Sequence, residues 1–478
     1  MLASLRHLLH RSMNVRQGEG PALFLSALYY FLLLCAYYII RPIRDDMGAA
    51  GGVENLAWLF TGTLVGMMIL HPIYSAMVSR MPRRRFIALV YRFFIAQLVL
   101  FYLVFQLVEG NSEVWAGRIF FIWTSIFNLF VVSVFWSLVN DVFRPSQSKR
   151  LFGVIAVGGT AGALSGSTIT SVLASSLGPV TLLLVSAALL EVAAQVSRYL
   201  SDSESKLARA AIADEAEGRD RDLRDVAVPD AGVVEQQVKD KQSEVIGGGI
   251  LDGVTHVLRS PYLLGIALLM LMFTIVSTYL YFQQIAIVNE VYGDDRVGRT
   301  QLFANRDLVV NAITLIVQIF LTGRILRWLG VGLSLALLPL ISFVGFGLLA
   351  VAPVLAVVIG FDILRRAGNF ALQRPARECL YTVIPRTDKY KAKNFNDTFV
   401  YRVGDQLGAW SYTAMAYFGI GLSGLALSML PVSLIWFGLA LWLGRQYQAL
   451  NRDQQTVHLS DSEPEPEPYP EPEPEPRS

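Results

Sequence analysis

PALFLSALYYFLLLCAYYII, Pro21–Ile40, is an uncharged run of twenty residues, and RPIRDDMG, Arg41–Gly48, follows it with two arginines and two aspartates. As a helix rising about 1.5 Å per residue, the run spans about 30 Å, the thickness of a bilayer's hydrocarbon core. The same texture recurs along the chain. Of 478 residues, 54% are hydrophobic and 16% charged, against about 25% charged in an ordinary soluble domain. This composition excludes a water-soluble globule and describes a polytopic helical membrane protein. The formal net charge of +2 is small, and the arginines sit in short loops instead of forming one basic face, so nucleic acid is not an expected partner.

Spans begin near Pro21, Val53, Phe86, Val114, Phe152 and Val180. The hydrophobicity then stops at a highly charged stretch, Ser201–Ile246, that ends in Gly247-Gly248-Gly249. A second set begins near Pro261, Gly298, Leu329, Val354, Lys391 and Leu422. The expected organisation is a basic, amphipathic lead-in (1–20), a six-helix bundle (21–200), a solvated connector (201–258), a second six-helix bundle (259–447) and a disordered Glu-Pro tail (448–478). Arginines and lysines concentrate in alternate loops, at Arg80–Arg85, Arg144–Arg150, Arg324–Arg327 and Arg386–Lys393. The positive-inside rule makes that side cytoplasmic, with both termini on it, and puts Arg41–Asp46 on the outer side. The expected location is a bacterial inner membrane.

The two sets repeat each other weakly. SRMPRRR, Ser79–Arg85, aligns with GRILRWL, Gly323–Leu329, and a glycine ridge at Gly158, Gly162 and Gly166 recurs at Gly404 and Gly408. At nearly the same offset IRDDMG falls on VNEVYG, which matches Asp45 to Glu290 and Gly48 to Gly293. The expected fold is therefore all-α and integral to the membrane, with about twelve helices in two pseudo-symmetric six-helix bundles. Such paired repeats mark secondary transporters with the site between the halves.

Polar groups inside spans are costly and usually face a cavity. Asp362, Arg366, Asn369, Gln373 and Arg377 are spaced 4, 3, 4 and 4 apart, one face of a helix, with Pro375 as an expected kink. Asp307, Asn311, Thr314 and Gln318 form a second stripe, and Asp397, Tyr401 and Asp405 a third. In the first half Tyr29, Tyr30, Tyr37, Tyr38, Trp123 and Trp136 accompany Asn140. Arginines beside aromatics suit an anion bearing a ring or sugar, since a guanidinium grips phosphate or carboxylate and a flat ring stacks. The plain alternatives are an interface belt for the aromatics, a register-fixing ion pair for Asp362 and Arg366, close packing for the glycines, and an outward-snorkelling Arg41.

Cys35 and Cys379 read as packing residues, and the five histidines lack partners at ligand spacing. Neither a metal nor a cofactor is expected, and the short outer loops leave no room for an enzyme's surface cluster.

The two halves, the charged connector and SRMPRRR resemble the major facilitator architecture, although the aspartate usual in that loop is absent. RPIRDDMG and FWSLVNDVFRPSQSKRLFGVIAVGG, Phe135–Gly159, more narrowly resemble the ATP/ADP translocase family. This resemblance implies exchange of ATP for ADP and phosphate by alternating access. It places Arg44-Asp45 where the exchangers carry a Lys-Asp pair, and Asn140 where they carry an asparagine or acidic residue.

The expected substrate contacts are therefore Arg44, Asn140, Arg366, Asn369, Gln373 and Arg377. The expected gating or coupling residues are Asp45, Glu290, Asp307, Asp362, Asp397 and Asp405. The expected partners are a small anionic solute, with nucleotide the leading guess, and the bilayer, around a monomer. The competing readings are proton-coupled transport of a drug, sugar or amphiphile through Asp307, Asp397 or Asp405, and, more remotely, a membrane enzyme or non-transporting sensor.

Overall fold

The computed structural model describes residues 19–80, 83–143, 145–201, 257, 260–384, 392–393 and 395–460. Residues 1–18 of the lead-in, nearly all of the connector (202–256 and 258–259) and residues 461–478 lie outside them. The first half comprises α1 (Gly20–Ala50), α2 (Leu56–Arg80), α3 (Arg83–Leu107), α4 (Asn111–Val142), α5 (Pro145–Leu177) and α6 (Leu182–Ser201). The second comprises α7 (Pro261–Tyr292), α8 (Arg296–Phe320), α9 (Thr322–Val351), α10 (Leu355–Gly368), α11 (Arg374–Leu380), α12 (Tyr401–Tyr417) and α13 (Leu422–Ser460). Ten of these helices are long and apolar enough to cross a membrane alone. Two further spans are interrupted helices. A π-helical turn, Asn369–Gln373, joins α10 to α11, and another, Asn396–Val400, leads into α12. The result is twelve spans in two six-helix bundles.

The first bundle packs its own core, and the core of the second also takes in Ala49, Leu56, Leu59 and Phe121 of the first. Large apolar side chains such as Phe120, Phe127 and Phe135 fill the first, and Phe282, Phe346 and Trp436 the second. The glycine ridges explain why particular helices approach so closely. A Cβ on Gly158 would lie 2.5 Å from the Ala27 carbonyl oxygen, and Gly162 and Gly166 press on the α1 backbone at Phe31 and Cys35. The second half repeats the arrangement, with Gly404 and Gly408 packed against Thr274, Ile275 and Thr278 of α7. Thus α5 on α1 is matched by α12 on α7, and the close packing is the clearest surviving sign of the repeat. Because the neighbour at Gly162 is main chain and cannot swing aside, Gly162→Val is expected to cost about 3 kcal/mol, the top of the overpacking range. A drop in thermal stability of the purified protein would register it.

Pro375 acts as expected, at the start of α11 directly after the π-turn. Its ring denies the Ala371 carbonyl, four residues back, its helical partner. The Thr322 hydroxyl donates to that carbonyl at 2.8 Å, and the Gln318 amide donates to the Phe370 carbonyl at 3.2 Å. The break is thereby satisfied by neighbouring helices, as a bilayer requires.

Four expectations are corrected here. Arg41–Gly48 is not a loop, for α1 continues helical through Pro42 to Ala50, carrying the charges into the protein. Gly48 and Gly293 are not equivalent: Gly48 is a helical glycine with its face on the Phe121 ring, whereas Gly293 terminates α7 with φ 51°. α9 contains a break at Gly330, φ 71°, so its spanning part begins one residue on. Helix α13 continues to Ser460, past the expected boundary at 447.

Candidate substrate site between the two halves

The halves meet where α5 packs on α8 and α2 packs on α12, with α1 against α8 and α7 between them. The deepest polar feature at this junction is a set of buried charges contributed by α1, α8 and α10. On α1, Tyr30, Leu34, Tyr37, Arg41 and Arg44 recur at spacings of 4, 3, 4 and 3, and all are half-buried beside fully buried neighbours. From that stripe Arg41 reaches the second half. Arg41 Nη1 lies 3.4 Å from Asp307 Oδ2 on α8, and in return Arg306 Nη2 of α8 donates to Asp45 Oδ2 of α1 at 2.9 Å. The two halves are thus joined by a reciprocal pair of ion pairs.

From α10, Arg366 Nη1 donates to Asp307 Oδ1 at 2.6 Å and lies 3.7 Å from Asp362 Oδ2. Arg306 also donates to Asp307 Oδ1, at 2.9 Å, and approaches Asp362 at 3.7 Å. Arg365 lies 3.7 Å from Asp362 Oδ1 and donates to the Ser277 hydroxyl at 2.6 Å. Arg44 donates to Asp45 Oδ1 at 2.5 Å, with its guanidinium 4.9 Å from the Phe121 ring centroid. Tyr281 donates to the same Asp45 oxygen at 3.3 Å, and Gln284 accepts from Arg306 at 2.8 Å. Every one of these charges is buried or nearly so, where desolvation makes pairing obligatory.

A second charged layer closes the end of the junction away from the basic loops. Asp46 of α1 accepts from Arg299 at 2.6 Å and from Arg296 at 3.1 Å. Arg296 also pairs with Glu113 of α4, and Arg299 with the Gly293 carbonyl. Asn289 donates to the Ala49 carbonyl at 2.6 Å, and Thr61 donates to Gln406 at 2.9 Å. All of these contacts except the Arg299–Gly293 bond cross between the halves. Asp46→Asn would strip Arg296 and Arg299 of their shared anion, and the expected result is a loosened end. Thiol labelling of a Thr300→Cys reporter, buried in α8 beside this layer, should accelerate at least fivefold in that background.

Of the expected site residues, the structure brings Arg44, Asp45, Asp307, Asp362 and Arg366 into one network. Asn369 and Gln373 continue the α10 face below it, both buried. Neither Asn369 Oδ1 nor either amide atom of Gln373 has a hydrogen-bond partner among the described residues. Arg377 lies further along, 3.9 Å from the half-exposed Asp397. Asp405 stands apart with Arg402 at 3.2 Å.

Besides Arg377, Asp397 and Asp405, two further expected residues do not meet the centre. Asn140 is exposed on the last turn of α4, 27 residues beyond Glu113 and so about 40 Å along the helix from the closed layer. Glu290 is exposed, and the cross-half bond comes from its neighbour Asn289 instead. Arg41 does not snorkel outward, because helical phase turns it toward Asp307. Trp123 is a satisfied core residue donating to Gln97 at 2.8 Å. Sequence reasoning missed Arg306, Arg365, Asp46, Arg296 and Arg299. A signal existed for two of them, since Arg299 and Arg306 are seven apart and share a helical face with Phe303 between them.

Two six-helix bundles meeting at buried charges are the architecture of a membrane transporter. Residues 22–369 match the Major Facilitator Superfamily, and the chain belongs to it. The chain is similar to ADP,ATP carrier protein 2 of Chlamydia pneumoniae, 19% identical over 500 residues that cover 90% of this chain and 89% of that one. Among solved structures it is similar to a bacterial homologue of the iron transporter ferroportin in an inward-facing state, with TM-score 0.60 and 10% identity over 89% of this chain and 98% of that one. It is also similar to the inward-open xylose transporter XylE from E. coli, with TM-score 0.56 and 12% identity over 87% and 94%. These structural likenesses concern the fold. The protein is a multi-pass membrane transporter and not an enzyme.

Proposed function

We infer that the protein exchanges organic anions across the membrane by alternating access. Adenine nucleotides and their phosphate fragments are the first substrates to test. The observation that carries this reading is the buried centre, where five guanidiniums from three helices converge on three carboxylates at the junction of the halves. Arginine's planar fork suits phosphate and carboxylate, and a cationic surplus between two rocking bundles attracts an anion. The distant similarity to an ADP,ATP carrier supports phosphate over carboxylate. Tyr30 and Tyr37, on the α1 face that carries Arg41 and Arg44, supply flat surfaces for a ring or sugar. In this account Arg366, Arg44 and Arg41 hold the anion, Asp307, Asp45 and Asp362 orient them while the site is empty, and the layer around Asp46 is the gate on the side away from the basic loops. The positive-inside rule makes that side the external one.

The second reading is proton-coupled transport of an uncharged solute through Asp405, which is buried and pairs with Arg402 away from the central network. Purified protein in liposomes separates the two. Labelled ADP should enter only vesicles preloaded with nucleotide or phosphate. Uptake driven by a pH gradient into vesicles without counter-anion would favour the proton-coupled reading.

A further inference from the structure

The buried centre is not electrically balanced. Its five guanidiniums share Asp45, Asp307 and Asp362, so at formal charges two positive charges are left over. The gate layer beyond it is balanced, with Arg296 and Arg299 facing Asp46 and Glu113. Donors at the centre are also left over. Arg366 Nη2, Arg365 Nε, Gln284 Nε2 and Asn311 Nδ2 are buried without a hydrogen-bond partner among the described residues. Among acceptors, Asp307 Oδ2 and Asp362 Oδ2 share that condition, but guanidiniums stand 3.4 and 3.7 Å from them, and Asn369 Oδ1 and Gln373 Oε1 share it further along the same face. Buried donors of this kind are costly unless something accepts from them.

We propose that the site is charge-matched to a compact dianion of the phosphate-monoester class, including hydrogen phosphate itself, and that this match couples inward to outward movement. The proposal rests on the anion-exchange reading above. Three guanidiniums, from Arg41, Arg306 and Arg366, already converge on the single carboxylate of Asp307 at 3.4, 2.9 and 2.6 Å. The positive surplus is thus concentrated over a volume about the size of one acid group. A phosphoryl group carries about −1.5 to −2 charge on one such group, whereas a dicarboxylate spreads its two charges over two separated groups. A free nucleoside triphosphate brings more negative charge than the surplus can cancel. Enclosing two unbalanced charges away from water is strongly disfavoured. The empty carrier consequently bears that cost in the closed intermediate, and the carrier loaded with a dianion does not. Exchange follows from the arithmetic without any further device.

The test uses the full-length protein in liposomes preloaded with phosphate, in magnesium-free buffer because magnesium would turn ATP into a dianion. Unlabelled AMP, ADP, ATP and succinate compete against labelled phosphate uptake. AMP is expected to compete at least tenfold better than ATP or succinate. Asp362→Asn raises the surplus by one and should shift preference at least fivefold toward ADP and ATP. Arg365→Gln lowers it by one and should weaken phosphate exchange at least tenfold. Either variant that loses thermal stability is replaced by the other as the informative arm. ATP or ADP outcompeting AMP tenfold, or unchanged selectivity in both variants, overturns the charge match while anion exchange stands. Succinate competing as well as AMP overturns the phosphate assignment. No exchange of any anion overturns the anion-exchange reading underneath.

Discussion

Arg366→Gln is expected to lower anion exchange at least a hundredfold, about 2.7 kcal/mol at 1.36 kcal/mol per decade, while the melting temperature stays close to that of the unaltered protein. The physical reason lies in who is left behind. Removing one partner of a buried pair is usually severe because the other charge is stranded. Here Asp307 keeps Arg306 at 2.9 Å and Arg41 at 3.4 Å, and Asp362 keeps Arg306 and Arg365 at 3.7 Å. No carboxylate is orphaned, and the positive surplus falls from two to one. The empty protein loses little, whereas the anion loses a guanidinium whose Nη2 has no hydrogen-bond partner among the described residues. Exchange rates in liposomes and thermal unfolding of the same preparation measure the two halves of this prediction. Full exchange activity in the variant would remove Arg366 from the site.

Asp307→Asn should do the reverse and damage the fold. Three guanidiniums contact this one carboxylate, two within hydrogen-bonding distance, and its side chain is fully buried. Neutralising it raises the surplus to three and leaves α1, α8 and α10 repelling one another at their meeting point. The expected loss is about 3–5 kcal/mol, the range for stranding a buried charge. In a chain this long that corresponds to a melting point lower by about 3–5 °C. Combining Asp307→Asn with Arg366→Gln restores the surplus to two, and most of the lost stability should return. A double variant no more stable than Asp307→Asn alone would show that Asp307 acts through packing and not through charge.

Much of this fold is legible in the residues. Uncharged runs at spanning length, the charged connector and the glycine ridges point to two six-helix bundles, and those bundles are present. The helical spacing of Asp362, Arg366, Asn369 and Gln373, and of Asp307 and Asn311, identifies two of the faces that build the junction. Local periodicity cannot reveal which face meets which. Asp45 and Arg306 are 261 residues apart, and their pairing depends on how two bundles dock. Arg41 and Asp46 were misplaced for a different reason. Pro42 beside charges resembles the end of a helix, but a proline is tolerated inside a membrane helix when neighbours serve the backbone, and α1 runs on past it.

The repeat alignment misled at Glu290 because a numerical offset does not preserve helical phase. A shift of one residue turns a side chain about 100°, and the bond falls to Asn289. Asn140, drawn from family resemblance, lies exposed at the far end of its helix, where the structure supplies no central partner. Arg306 and Arg365 escaped notice because each sits beside a residue already assigned to a stripe. Adjacent positions on a helix point in different directions, and only the convergence of three helices brings both neighbours to the same centre.

The claim on which the rest depends is that the surplus positive charge at the junction is an anion site. Thermal unfolding of the detergent-solubilised full-length protein, titrated with phosphate, AMP and ADP beside neutral sugars, tests it most directly. The account predicts that the phosphate-bearing anions raise the melting temperature with saturation, that neutral sugars do not, and that Arg366→Gln abolishes the rise. A melting temperature indifferent to all three anions, or raised equally in the variant, would contradict it.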